Sequence, residues 1–136
     1  YTVEVDADLM RGSGNAYGYG VYFRARDYDN LNAYIFQYDP GYGSSGALLF
    51  RKIVNGSEQA PFGMADLPAG YVWKDQVKHI TVTVSGSSFA AYLSDMNGGA
   101  APVLEASDSS YSRGAIGLGT WGSAQAGFDN IKVSPK

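Results

Sequence analysis

The stretch Gly18–Lys52, GYGVYFRARDYDNLNAYIFQYDPGYGSSGALLFRK, decides the fold. Apolar and polar residues alternate along its first part, in the order Val21, Tyr22, Phe23, Arg24, Ala25 and Arg26. A period of two residues is that of a β-strand with one dry face and one solvated face. The polar loop Asp27–Asn32 then separates this strand from a second one at Ala33–Asp39. We therefore predict a hairpin, followed by a third strand that ends near Lys52.

The hairpin register decides which side chains face the core. If the six-residue loop closes the hairpin, Tyr22 lies opposite Gln37. The predicted core face then carries Phe23, Tyr34, Phe36 and Tyr38, and the predicted outer face carries Tyr22, Arg24, Arg26, Ile35 and Gln37. A slip of one residue would exchange the two faces.

The third strand has two possible inward sets, Ala47, Leu49 and Arg51 or Leu48, Phe50 and Lys52. We prefer the second set because it buries the larger apolar residues, and it leaves Arg51 on the outer face. A sheet face with guanidinium groups beside aromatic rings suits a sugar, although any solvated sheet face has a similar composition.

The composition is typical of one all-β domain. The 136 residues include 18 Gly and 11 Tyr, and only 17% are charged. The net charge is −3 and the lysines and arginines are scattered, so we do not expect a nucleic-acid partner. No apolar run is long enough to insert into a membrane, and the absence of cysteine excludes disulfides and thiolate metal sites.

The remaining chain continues the strand pattern. Tyr1–Met10 alternates, the hairpin Gln76–Ser94 turns at Ser85–Ser88, and two further strands occupy Arg113–Trp121 and Ala126–Val133. About ten short strands separated by turn signals predict a two-sheet antiparallel β-sandwich. We expect residues 1–136 to form a single domain. Because the chain begins in strand pattern rather than at a methionine, we also expect a module excised from a larger secreted or surface protein.

Several motifs together resemble a known fold group. They are GVYFRARDYDN from Gly20, VWKDQVKHITVTVSGSSFAAYLSD from Val72, SRGAIGLGTW from Ser112 and GFDNIKV from Gly127. Their order is similar to that of the concanavalin A-like jelly-roll group, in particular laminin-G-like domains and the family-66 type of carbohydrate-binding module. The resemblance implies non-catalytic sugar binding, or a spacer or adhesion role on a larger surface protein. It also implies a structural calcium near the chain ends.

Catalytic motifs are not recognisable. Glycosidases of this architecture place two glutamates on one strand, and Glu4-Val5-Asp6 begins that pattern, but Leu9 stands where the second glutamate belongs. His79 is the only histidine, and alternation places it on the outer surface of a sheet. We therefore predict that the domain is not an enzyme.

Trp121 is the strongest aromatic candidate for binding. It follows small residues in GLGTWGS that cannot bury an indole, so it either stacks on a sugar or covers one end of the sandwich. Tyr92 is a weaker candidate, and Trp73 is assigned to the core. The predicted carbohydrate-binding residues are Arg24, Arg26, Gln37, Arg51 and Trp121.

A calcium site is predicted from the first and last strands. Glu4, Asp6 and Asp8 form one row, and adjacent terminal strands would bring Asp129 beside it. Clustered carboxylates repel one another unless a cation lies among them, and calcium accepts six to eight oxygens. Asp129 and Asp6 are the predicted ligands of this structural calcium. The alternative is that Lys132 and Lys136 neutralise the row.

Two functions remain open. The first is a carbohydrate-binding module for a glycan or polysaccharide. The second is a structural or adhesive head domain, pilin-like or adhesin-like, without a sugar ligand and in contact with other domains or subunits of its parent protein. Either function predicts an extracellular or cell-surface location.

Overall fold

The computed structural model describes residues 1–135, which contain eleven strands and two single 3-10 turns. The strands are β1 (Thr2–Arg11), β2 (Tyr17–Arg26), β3 (Asn32–Asp39), β4 (Ala47–Val54), β5 (Ser57–Glu58), β6 (Gly63–Asp66), β7 (Val77–Ser85), β8 (Ser88–Leu93), β9 (Leu104–Ser107), β10 (Ala115–Gly122) and β11 (Gln125–Ser134). The 3-10 turns lie at Tyr28–Asn30 and Asn97–Gly99. Nothing in these 135 residues forms a helix that could cross a membrane.

The strands form two antiparallel sheets that pack face to face. The five-stranded sheet has the order β11-β1-β7-β8-β9. The six-stranded sheet has the order β10-β2-β3-β4-β5, and β6 also pairs with β4. This arrangement confirms the predicted all-β, two-sheet antiparallel sandwich of the concanavalin A-like jelly-roll type.

One aromatic core lies between the sheets. The core contains the four residues predicted to face it, Phe23, Tyr34, Phe36 and Tyr38, together with Ile80, Val82, Phe89 and Leu93, and Phe128 packs at its margin. The Phe23 and Phe89 rings, from opposite sheets, meet edge to face with centroids 5.0 Å apart. Trp73 stacks on Tyr38 at 4.5 Å, which confirms its assignment to the core.

The faces of the central strands follow the prediction although the register does not. Tyr22 pairs with Ile35 and Gly20 pairs with Gln37, a shift of two residues from the expected pairing. A shift of two keeps every side chain on its face, because side chains alternate with a period of two. Leu48 and Phe50 point into the core as preferred.

A β-bulge near the end of β2 breaks the alternation. The register shifts between Phe23 and Arg26, and Arg24 has a left-handed backbone with φ 52°. After the bulge Ala25, and not Arg24, packs in the outer cluster with Ala33 and Ile35. The outer-face positions predicted for Arg24 and Arg26 are therefore wrong, because one inserted residue reverses the faces that follow it.

Candidate functional site

The outer face of the six-stranded sheet brings together three of the five predicted binding residues. Two rows of directly opposed residues cross it from β10 to β4: Gly119, Gly20, Gln37 and Leu49 in one row, and Gly117, Tyr22, Ile35 and Arg51 in the next. Trp121 pairs with Gly18 one row further along. Gln37, Arg51 and Trp121 thus share one surface.

Two aromatic rings of this face lie on glycines. A Cβ added to Gly18 would meet Cζ2 of Trp121 at 2.2 Å, and one added to Gly119 would meet Cε2 of Tyr22 at 2.9 Å. Each ring thus occupies the space that a side chain would fill on the neighbouring strand. Both rings remain half-buried, so part of each is open to solvent. We call Trp121, Tyr22 and these two glycines the aromatic platform.

The position of the Trp121 ring bears on the second alternative given for it, that it covers one end of the sandwich. Its ring packs against the outer cluster of Ala25, Ala33, Ile35 and Ile53. It therefore covers part of a sheet face and does not close an end of the sandwich. An indole that lies against a glycine and is partly exposed presents an apolar surface beside polar groups, which is an arrangement suited to stacking on a sugar ring.

A polar cluster adjoins the platform on β3, β4 and the loops beside them. Its centre is Arg51, which donates to Tyr42 Oη at 2.8 Å and to the Gln59 carbonyl at 3.1 Å. The same guanidinium lies 3.6 Å from Asp39 and 3.9 Å from Glu58. We call Gln37, Asp39, Tyr42, Arg51 and Glu58 the polar cluster.

The polar cluster has unused hydrogen-bonding capacity. Gln37 is only 1% exposed and donates to Asp39 at 3.4 Å, while its Oε1 has no partner. Nε of Arg51 is also buried without a hydrogen bond. Gln37 therefore lies on the predicted face but beneath the surface, where it orients Asp39. Arg51, with 11% of its side chain exposed, reaches the surface.

Electrostatics connects the platform and the polar cluster. Burial raises the pKa of the Tyr22 hydroxyl, and the Glu58 carboxylate raises it further. Such coupling requires the two groups to be near each other. Tyr22 and Arg51 lie in one row, two strands apart, so their Cα atoms are separated by roughly 10 Å.

Arg24 and Arg26 lie elsewhere, at the end of the sandwich. Arg24 is 6% exposed and donates to the Tyr111 carbonyl at 2.7 Å and to the Gly86 carbonyl. Arg26 lies over the Tyr111 ring at 4.9 Å and pairs with Asp27 at 3.5 Å. The bulge directs both away from the outer face, so we do not place them in the platform site.

Four residues of the site were not among the predicted binding residues: Tyr22, which was predicted only to lie on the outer face, and Asp39, Tyr42 and Glu58. A signal for the platform was present in the alternating glycines of YGYGV and IGLGTW. Glycines at every second position mark a sheet face without side chains, on which large rings from adjacent strands can lie. Tyr42 and Glu58 had no such signal, because a loop and a two-residue strand place them.

The first and last strands are adjacent, as the calcium prediction requires. Asp6 pairs with Asp129 across β1 and β11. Asp6 is already engaged, because it accepts from Asn130 Nδ2 at 2.7 Å and lies 2.6 Å from His79 Nδ1. These bonds, first that from Asn130 and then that from His79, lower the pKa of Asp6. His79 lies on the outer surface of its sheet, as predicted.

The donor set fits calcium poorly. Among residues 1–135 no three His, Asp or Glu side chains are grouped as metal ligands, whereas calcium takes six to eight oxygens. Lys132 lies 3.3 Å from Glu4 and neutralises one end of the row. Lys136, the other expected lysine, is outside the described residues. Calcium at Asp6 and Asp129 stays a prediction.

Solved structures similar to this chain share its sandwich. The carbohydrate-binding module CBM66 from Bacillus subtilis aligns over 96% of this chain and 71% of its own, with 26% identity and a TM-score of 0.74. The ancestral congerin Con-anc covers 96% of this chain and 89% of its own at 14% identity and a TM-score of 0.59. CG-16, a homodimeric agglutinin from chicken liver, covers 96% and 88% at 11% identity and a TM-score of 0.57.

These likenesses confirm the predicted concanavalin A-like jelly-roll fold. The congerin and the agglutinin are too distant in sequence to show more than the fold. No protein-family model matches the chain, and a search of curated proteins also finds no match.

Proposed function

We propose that this domain is a non-catalytic carbohydrate-binding module that recognises a glycan on the outer face of its six-stranded sheet. The observation that carries the proposal is the aromatic platform beside the polar cluster. A ring stacks on the apolar side of a sugar, and paired donors and acceptors bind its hydroxyls. The similarity to a module named for carbohydrate binding supports the same class.

The charges of the polar cluster favour a neutral sugar. The Asp39 and Glu58 carboxylates surround the single guanidinium of Arg51, so the cluster has no excess positive charge. Carboxylates and a guanidinium can together accept from and donate to adjacent hydroxyls. One or two sugar units on an open face bury little area, so we expect dissociation constants in the micromolar to millimolar range.

A glycan array followed by calorimetry tests the proposal. Trp121→Ala and Arg51→Ala should each weaken binding of the best glycan at least tenfold. Tyr28→Ala is the control, because Tyr28 is an exposed tyrosine in a 3-10 turn and belongs to neither the platform nor the polar cluster. The array glycans should be recovered uncleaved. Equal affinity in all three variants would exclude the platform as the binding surface.

The second candidate function is a structural or adhesive head domain of a surface protein, without a sugar ligand. The edge strand β11 favours it, because Ile131 and Val133 are each 51% exposed there. An exposed edge with apolar side chains can dock against another domain or subunit of the parent protein. An array that detects no glycan would favour this function.

A further inference from the structure

Arg24 is a buried cation without a carboxylate partner among the described residues. Other cations with little exposure have one: Lys78 lies 2.7 Å from Asp95, and Arg51 lies 3.6 Å from Asp39. The Arg24 guanidinium instead donates to two backbone carbonyls and lies 5.4 Å from the centroid of the Phe89 ring. Because a buried charge is costly unless it is paired, this arrangement leaves room for an external anion.

The guanidinium also has donors to spare. Arginine carries five N–H groups, and the two carbonyls of Gly86 and Tyr111 take only part of them. Nε of Arg24 is buried and makes no hydrogen bond. The neighbouring Tyr1 hydroxyl is likewise buried, and burial raises its pKa while the charge and the hydrogen-bond donors of Arg24 oppose the rise.

A hollow of about 180 Å³ lies beside the guanidinium, at the end of the sandwich. It is lined by Arg24, Gly86, Ser87, Ser109, Tyr111 and Ser112. The three serines are exposed, and no carboxylate is in the lining. Its volume equals about six water molecules and is below the roughly 300 Å³ of sites for drug-sized ligands. The hollow therefore suits one charged group and the atoms next to it.

We propose that this hollow binds a single oxyanion group, a carboxylate or a sulfate ester, with Arg24 as the counter-charge and the serine hydroxyls as further donors. The exposed Arg113, which follows Ser112, adds positive charge at this end of the sandwich, whereas Arg26, over the Tyr111 ring, is already paired with Asp27 at 3.5 Å. Asp108, the carboxylate that directly precedes Ser109, does not neutralise Arg24, because it is held by Tyr34 at 2.5 Å and by Lys52 at 3.3 Å. This site is separate from the platform and does not depend on the proposed function.

Backbone amide shifts in the intact domain give a direct test. Sodium glucuronate and sodium sulfate are the anionic probes, glucose is the neutral probe, and sodium chloride matches the ionic strength. Saturable shifts at Gly86, Ser87 and Ser112 with either anion, and not with glucose, are expected. The stronger of the two anions identifies carboxylate or sulfate as the natural group. No shifts there, or equal shifts with sodium chloride, would overturn the proposal.

A carboxylate introduced into the hollow by mutation provides a second test. It leaves Arg24 in place, so the contacts that Arg24 makes in the fold are kept. Ser109→Asp should place a counter-charge in the hollow, weaken anion binding at least tenfold and raise the melting temperature by a few degrees. Ser44→Asp, on an exposed loop serine, is the control and should change neither. A Ser109→Asp variant with unchanged anion affinity would contradict the site. Trp121→Ala should leave the anion shifts intact, which separates this proposal from the glycan site.

Discussion

Replacing Gly18 with alanine tests whether the outer face needs a glycine beneath Trp121. The added Cβ would lie 2.2 Å from Cζ2 of Trp121 and 2.5 Å from the Tyr38 carbonyl oxygen. The indole can swing away, but the carbonyl belongs to the neighbouring strand and cannot move far. Overpacking of this kind costs about 1–3 kcal/mol. The loss of chain entropy in the unfolded state offsets about 0.4–1 kcal/mol of that.

The expected net effect is a loss of about 1–2 kcal/mol in the free energy of unfolding, measured in urea. Gly117→Ala is the matched control, because Gly117 lies on the same face and its added Cβ would meet only Tyr22 Cβ, at 3.7 Å. Neither glycine has a positive φ, so strain does not distinguish them. The control should be neutral or slightly more stable than the wild type.

Acrylamide quenching reports on the same change. Trp73 is buried, so the accessible tryptophan fluorescence comes mainly from Trp121. Gly18→Ala should displace the indole, increase its quenching and weaken glycan binding, whereas Gly117→Ala should do none of these. Equal stability and equal quenching in the two variants would refute the idea that the Trp121 ring lies on the glycine.

Three further predictions concern the core, acid stability and the metal. Phe23→Ala should lower the free energy of unfolding, measured in urea, by about 3–5 kcal/mol. A decrease below about 1 kcal/mol would mean that Phe23 is not in the core. Burial acts to raise the pKa of Asp108, but hydrogen bonds from Ser110 and Tyr34 outweigh it and lower the pKa to about 2. Above pH 4 the ionised Asp108 should therefore contribute about 2 kcal/mol to the free energy of unfolding, and this contribution should be lost as the pH falls from about 4 to 2. Asp108→Asn should abolish that part of the pH dependence of stability. Calcium at Asp6 and Asp129 would raise the melting midpoint by several degrees over that in EDTA, and identical melts would contradict the site.

The alternating pattern predicted the faces of the central strands, because the face of a side chain depends only on whether its position along the strand is odd or even. Phe23, Tyr34 and Phe36 enter the core although the register was misplaced by two residues. An error of two moves neighbours along a strand but leaves the inside and outside unchanged. Arg51 reached the outer face for the same reason, since Phe50 faces the core.

The bulge was not predictable from the local sequence. Arg24, Ala25 and Arg26 continue the polar–apolar alternation without a glycine or proline to mark an interruption. The guanidinium of Arg24 instead bonds to carbonyls 62 and 87 residues further along the chain. Contacts at that separation form only in the folded domain, and they stabilise a positive φ that arginine seldom adopts.

The polar cluster escaped prediction for a related reason. Arg51 was assigned to the surface from its strand, but Tyr42 and Glu58 contact it from a loop and from a two-residue strand. Neither segment has a periodic pattern that would indicate its position over the sheet. Their placement depends on the hydrogen bond and charge that Arg51 provides, so it follows from tertiary structure.

The outer face of the six-stranded sheet differs from an ordinary solvated face, because Ala33, Ile35 and Leu49 are fully buried on it. A second apolar layer therefore lies outside the sheet, and the rings of Trp121 and Tyr22 are part of its cover. A glycan that stacks on the solvent side of these rings would add to their burial and leave their contacts with the sheet in place. Binding and stability should consequently be coupled with the same sign. Weaker glycan binding by the Trp121→Ala variant is therefore evidence about glycan recognition only at temperatures where that variant remains folded.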